Sequence, residues 1–571
     1  MATVGDVLRL GADHHAAGRF DEAMALYRLV LRADPPNSDA WRLLGKAAER
    51  AGHRKLALMC LQRWAALCPA DAVAFADLGG LLAQEGESAK AAASYGAAVR
   101  CNPLMAQAAF QRAMLLYRMG AAVPAAAAFR MSILAAPDQA MAYINRGAAL
   151  QAAGCPDQAA VCLARGCRLA PDALPGAINS ALVAAAGGRH RDAERSGRRV
   201  VFLSPDAVQG YDILASTHVQ QGDVQRGLAL YDLALRIDPE NGGLRVNRGV
   251  ARLLAGELAG GWDDLFARWA VDPPLRATAL LELPRWSGGN VPAGRLLVWG
   301  ETGVGDEILF ASLVPDLVEA GIACVVECDA RLVPLLERSL PGVEVIARPG
   351  DPAASFLPPR CADVTAQVPA SDLPRHLRRT AASFAFQRAY LVADSDKVRA
   401  LRRRTGDAGL RIGISWRSAA STARSLPLAQ LTATLAPLLE PAGGRLISLQ
   451  YGVAEEERAV GGLVHELGVD PIADLDGFAA LVAAVDLVVT VDNTTAHVAG
   501  GLGVPGWVLL PFVPAWFWGM EAGRTPWYPS LRLFRQSRPG DWGGVLAAVS
   551  SALAERLASQ DKGPRAADGG G

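Results

Sequence analysis

Apolar positions in the first half of the chain keep a beat of 34 residues. In the second repeat, Trp41, Leu44, Gly45, Ala57 and Leu61 take the anchor offsets; in the third, Phe75, Leu78, Gly79, Ala91, Tyr95 and Ala98 take them again. Glycines hold the same step at Gly18, Gly52, Gly86, Gly120, Gly154, Gly188, Gly222 and Gly256. Prolines hold it at Pro35, Pro69, Pro103, Pro137, Pro171, Pro205, Pro239 and Pro273. A period of this length predicts stacked helix–turn–helix units. Small residues let the two helices of a unit cross closely, and larger ones fill the space between units. Glycine supplies a left-handed turn between the helices, and proline ends the second helix because it lacks the N–H that the ladder needs. About eight units are predicted over residues 1–273. The last drifts from the pattern through GGWDDLFARWAVDPP, as a terminal unit docking on another domain would.

Beyond Pro273 the beat stops. A linker over 274–294 holds Pro284, Gly288, Gly289, Pro292 and Gly294. Short apolar runs then alternate with helical stretches. RLLVWG (295–300), CVVEC (324–328) and VEVIA (343–347) read as buried parallel strands. A helix lies between the first two, and Pro315 should kink or divide it. A second series starts at RIGISW (411–416) and continues through RLISLQY (445–451), DLVVTVD (486–492) and GWVLLP (506–511). Strand–helix alternation predicts α/β layers with ligands at the strand C-terminal ends. The fold class expected is an α-solenoid followed by two Rossmann-like lobes, residues 295–390 and 411–559, joined over 391–410 and facing a cleft.

Composition narrows the picture. The chain has 571 residues, 51% of them hydrophobic, and 57 Lys+Arg balance 57 Asp+Glu. A neutral chain has no general attraction for nucleic acid or anionic lipid. No basic-then-apolar leader opens it and no apolar run is long enough for a membrane span, so a cytoplasmic protein is expected. The nine cysteines form no metal-ligand spacing and read as reduced thiols. The polar, glycine-rich tail over 560–571 is expected to be disordered.

Three stretches carry candidate chemistry. In GETGVGDEILFAS, Gly303 and Gly305 permit a tight turn and Asp306 lands at a helix start; an N-cap alone would also explain Asp306. In DLVVTVDNTTAHVAGGLGVP, a buried strand ends at Asp492, and Asn493, Thr494 and Thr495 open a helix that contains His497. Backbone amides, hydroxyls and an imidazole at a helix N-terminus suit a diphosphate, whereas the plainer reading is capping. Gly500 and Gly501 would let that helix pack closely. In PFVPAWFWGMEAGRTPWYPSLRLFRQ, Phe512, Trp516, Phe517, Trp518, Trp527 and Tyr528 make either a hydrophobic plug or a ligand-facing wall.

The repeats resemble the tetratricopeptide repeat, with its W-x2-L-G, A-x3-F/Y and terminal Pro pattern. From Gly300 to Gln536, the strings GVGDEILFAS, GISWRS, LISLQYG, VDNTTAHVAGGLGVPGWVLLP and TPWYPSLRLFRQ resemble the glycosyltransferase domain that bacterial proteins carry behind such repeats. That domain is similar to the family 9 heptosyltransferases of lipopolysaccharide synthesis and, more distantly, to O-GlcNAc transferase. The resemblance implies a GT-B fold, a nucleotide-sugar co-substrate bound mainly by the C-terminal lobe, and no metal or other cofactor. It places the general base on Asp306, the family's D-T-x-x-x-H element on Asp492, Asn493, Thr494, Thr495 and His497, and its basic residue on Arg424, with Arg417 nearby. Gln450 and Tyr451, at a strand end, join the donor-binding set. One departure stands out: relatives often carry P-D-W-R-W where this chain has Pro514-Ala515-Trp516-Phe517-Trp518. The architecture implies a protein acceptor held by the repeats, with flagellin as the analogy. The alternatives are a non-enzymatic scaffold with a degenerate transferase-like domain, and a transferase acting on lipid or polysaccharide.

Overall fold

The computed structural model describes residues 3–560, except 272, 274–279, 281, 292–293, 302, 351–357, 386, 407–408, 419–424, 454, 459, 461, 466 and 522. The tail beyond residue 560 and part of the expected linker thus lie outside the described residues, while Gln560 ends the helix Trp542–Gln560. The chain divides into two compact units, Met1–Thr217 and His218–Gly571.

The first unit is built of helical hairpins. Val4–Ala16 and Phe20–Ala33 make the first, Ser38–Arg50 and Arg54–Leu67 the second, and the pattern runs on to His190–Leu203. Its six repeating glycines, Gly18 to Gly188, have φ between +67° and +79°, the left-handed turn that the period required. Gly45 shows why small anchors recur: a methyl there would sit 3.0 Å from Leu61 and 3.2 Å from Cys60. Tyr27, Leu44, Leu61 and Trp64 are buried in the stack.

The second unit includes the last repeats: the helix Val224–Ile237, α1 (Gly242–Leu254) and α2 (Leu258–Leu265). The domain boundary expected near residue 273 therefore falls inside this unit. The drift of the eighth repeat has a packing reason. Trp262 on α2 is 2% exposed and donates Nε1 to the carbonyl of Arg378 at 2.9 Å. Asp264, beside it, accepts from Arg248 and Arg252 at 2.7 Å.

Two parallel sheets follow. The first contains β1 (Arg295–Trp299), β2 (Cys324–Cys328), β3 (Glu344–Ala347) and β4 (Val364–Pro369), in the order β3-β2-β1-β4. The second contains β5 (Arg411–Ser415), β6 (Arg445–Ser448), β7 (Leu463–Val464), β8 (Leu487–Val491), β9 (Gly506–Leu510) and β10 (Leu531–Arg535). Its order is β10-β9-β8-β5-β6-β7, the doubly wound arrangement 3-2-1-4-5-6 when its own strands are counted from one. All seven expected strands are present; β4, β7 and β10 are additional. Two helices matter for the site. After β1 comes α3 (Val304–Ala311), and Pro315 sits in the first turn of a separate helix, Val314–Glu319, so the stretch is divided at the proline as predicted. After β8 comes α4 (Thr494–Leu502).

Candidate functional site

In a doubly wound sheet the strand order reverses between the first strand and its neighbour, and the loops there leave in opposite directions, opening a crevice. In the second sheet this switch point lies between β5 and β8. Asn493 straddles it: Nδ2 donates to Ser415 Oγ at 2.7 Å and to the Arg417 carbonyl at 3.0 Å, while Oδ1 accepts the Thr495 amide at 3.0 Å. Asn493 thus caps α4 and ties the two switch-point loops together. In the first sheet the reversal lies between β1 and β4, and the segment after β1 carries Gly303 in the loop and Gly305 and Asp306 in the first turn of α3.

The two switch-point loops open on one cavity of about 550 Å3. Gly305 and Asp306 line it from α3; Asp492 and Asn493 line it from the loop after β8, and Thr494 and His497 from α4; Ser418 and Tyr451 add two hydroxyls. Val219, Val250 and Leu254 from the last repeats form part of its wall, and so does the segment Val513–Phe517.

Asp306 is not a cap. Gly303 holds the N-cap position and Asp306 stands in the first turn of α3. Gly303 has φ −73°, and Gly305 is not among the positive-φ glycines, so the tight-turn expectation fails for both. Close approach explains Gly305 instead: a methyl there would stand 3.1 Å from His497 Cδ2 and 3.6 Å from Thr494 Oγ1. At Gly501 a methyl would sit 2.7 Å from Leu391, which bears out the close packing expected of α4.

His497 is 4% exposed, and burial pushes its imidazole down to about 3, so it is neutral at physiological pH. Nδ1 lies 3.0 Å from the Tyr528 hydroxyl. The ring stacks on Trp518 at 5.7 Å and meets the edge of Phe517 at 5.1 Å. Trp516 and Phe517 face the cavity, whereas Trp518, Trp527 and Tyr528 are buried, so the aromatic segment is both wall and plug.

Three expected donor-binding residues are not on the cavity wall. Arg417 donates to the Gly452 carbonyl at 2.5 Å and pairs with Glu457 at 3.2 Å. Gln450 is 3% exposed and works as a strap: Oε1 accepts the amides of Trp416 and Arg417 at 2.9 and 2.8 Å. Thr495 is fully buried behind the wall, with its amide already bonded to the Asn493 cap. Arg424 lies outside the described residues. Among the described lining residues the formal charges are the two acids, Asp306 and Asp492. Two further acids of this half, Asp474 and Asp476, serve packing: Asp474 caps a helix by accepting the Gly477 amide at 2.8 Å, and Asp476 pairs with Arg338 and Lys397. Sequence reasoning missed Val219, Val250 and Leu254, which obey the repeat pattern and carry no separate signal.

A tetratricopeptide-repeat family profile matches residues 5–47, in line with the repeats seen at the N-terminal end. The chain is 32% identical over 379 residues to Protein FlbA of Caulobacter vibrioides, and the match covers 62% of each chain. It therefore spans a little under two thirds of that relative's length. Among solved structures, MamA is 25% identical, with 29% of this chain and 91% of that one covered and a TM-score of 0.27. YrrB, described as a TPR protein with an unusual peptide-binding site, is 18% identical, with 32% and 93% covered and a TM-score of 0.29. No described helix is long and apolar enough to cross a membrane.

Proposed function

We propose that the chain is a glycosyltransferase: it moves a sugar from a nucleotide-sugar donor to a protein acceptor held by the tetratricopeptide repeats, without a metal, in a GT-B domain formed by the two sheets and their helices. The observation that carries this reading is the convergence of two switch-point segments, the first turn of α3 bearing Asp306 and the start of α4 bearing Asn493, Thr494 and His497, on a single cavity that the last repeats also wall. Two sheets with facing strand ends suit a substrate pair, with the donor on one lobe and the acceptor arriving across the other.

Transfer requires a base at the acceptor, alignment of the two substrates, and stabilisation of the departing phosphate. Asp306 takes the proton of the acceptor hydroxyl as its oxygen bonds to the anomeric carbon. The bond from that carbon to the phosphate oxygen breaks, and the electron pair leaves with the nucleotide. The amides of Asn493 and Thr494, the Thr494 hydroxyl and His497 receive the charge at the N-terminus of α4. Since Arg417 is turned toward Glu457, these neutral donors do most of that work among the described residues. Flagellin is the acceptor suggested by architecture alone.

Replacing Asp306 with Asn tests the reading. Transfer should fall by roughly 10²–10⁴-fold, the usual worth of a general base, with donor binding retained. Undiminished transfer removes Asp306 from the mechanism. One observation favours a scaffold instead: Ala515 and Phe517 line the cavity where related domains often carry an acid and an Arg. That reading predicts partner binding with no turnover of any nucleotide sugar.

A further inference from the structure

The Tyr528 hydroxyl is 2% exposed as a residue, and among the described residues its one hydrogen bond is to His497 Nδ1, at 3.0 Å. A neutral imidazole carries one proton, on either ring nitrogen. If the phenol donates to Nδ1, both buried groups are satisfied and the imidazole proton sits on Nε2. If Nδ1–H donates to the phenol oxygen, the phenol proton is left with no acceptor among the described residues. An orphaned buried donor weighs against that arrangement by roughly tenfold or more. Nε2 has no hydrogen-bond partner among the described residues, and it lies 3.7 Å from where a methyl on the cavity-lining Gly305 would stand, on the side of His497 that meets the cavity.

We propose that Tyr528 is a positioning residue that locks His497 in the tautomer with its proton on Nε2, so that His497 offers the cavity a neutral hydrogen-bond donor and takes a ligand oxygen as its acceptor. Packing keeps the pair in place. A methyl at Gly500 would overlap the Tyr528 ring, and the Trp518 indole stacks on His497 at 25° between planes. Burial holds the imidazole far below the usual histidine value and the phenol well above the usual tyrosine value, so the pair keeps its protons across physiological pH. The other ionisable groups facing it are Asp306 on α3 and Tyr390. A locked donor is the wrong partner for an acceptor hydroxyl that must lose a proton and the right one for a phosphate oxygen. This separates the roles of the two residues: Asp306 is the base, and His497 binds the leaving group. The inference rests on the transferase reading only for the identity of that oxygen.

The test uses the full chain with 15N-labelled histidine rings, His497 being assigned by the signal lost in His497→Gln. Protonated and bare ring nitrogens differ clearly in 15N shift. The unliganded wild type should show Nε2 protonated, and Tyr528→Phe, which keeps the ring and removes only the hydroxyl, should shift His497 toward protonated Nδ1. Inorganic pyrophosphate then probes the ligand side, with binding at least roughly fivefold weaker in Tyr528→Phe. Protonated Nδ1 in the wild type, or unchanged nitrogen shifts in the variant, overturns the lock. Equal pyrophosphate affinity in both proteins, or none in either, overturns the assignment of the donor to a phosphate. Neither readout depends on turnover of a nucleotide sugar, so failure of the lock and failure of the transferase reading are told apart.

Discussion

Glu301, in the loop between β1 and α3, gives a prediction whose size follows from the structure. Its side chain is 7% exposed, 3.3 Å from Arg268, in a cluster that also holds Asp372 and Arg285. Burial, opposed by Arg268 and reinforced by Asp372, raises the carboxyl from 4.5 to about 7. In the unfolded chain it ionises near its ordinary value, so between those two pH values the folded state holds a proton that the unfolded state has lost. The contribution is fully present below about pH 4.5 and is lost as pH rises through about 7. At about 1.4 kcal/mol per tenfold in proton affinity, the loss approaches about 3 kcal/mol. Glu301→Gln removes the titration and keeps the shape. Urea unfolding at pH 5, 6, 7 and 8, followed by tryptophan fluorescence, reads the second unit, because Trp41 and Trp64 are the only tryptophans outside it. Relative to the variant, the wild type should weaken progressively from pH 5 to pH 8, a midpoint shift of roughly 1 M urea at about 3 kcal/mol per M. Parallel stability profiles for the two proteins would refute the buried-carboxyl argument.

Gly305→Val should push a side chain onto His497, already 3.1 Å from the position of a first methyl, and lower transfer roughly tenfold or more with little change in the second unit's melting temperature. Steady-state transfer assays and calorimetry on the same sample check both halves. Removing residues 1–207 should abolish acceptor modification while leaving donor binding, measured by titration calorimetry. A cut near residue 270 should destabilise the rest by roughly 3 kcal/mol or more, because Trp262 and its hydrogen bond to Arg378 leave with the repeats.

Much of this was legible in the sequence, for identifiable reasons. Strands β1, β5 and β8 are buried along nearly their whole length, so they read as short, mostly apolar runs rather than alternating ones. β4 was hidden by Gln367, whose buried side chain is satisfied because its Oε1 accepts the Trp299 indole N–H at 2.7 Å. β10, Leu531–Arg535, alternates arginine with apolar residues and was read as part of the aromatic segment. The repeat period announced eight hairpins but not that the last of them belong to the second unit, since Val250 and Leu254 satisfy the period and the cavity wall alike. The direction of Arg417 was set by Glu457, forty residues away in sequence, a pairing that no local pattern encodes. Gly305 looked like a turn residue; only the neighbouring imidazole shows that it is there for want of a side chain.

The central claim, that the loops after β1 and β8 form one transfer site, is tested most directly by incubating the purified full chain with radiolabelled ADP-, UDP-, GDP- and CMP-sugars and an extract from cells lacking it. One donor should label protein in a protease-sensitive band, and both Asp306→Asn and His497→Ala should abolish that label. Label that persists in both variants, or the absence of turnover and binding with every donor, would contradict the account.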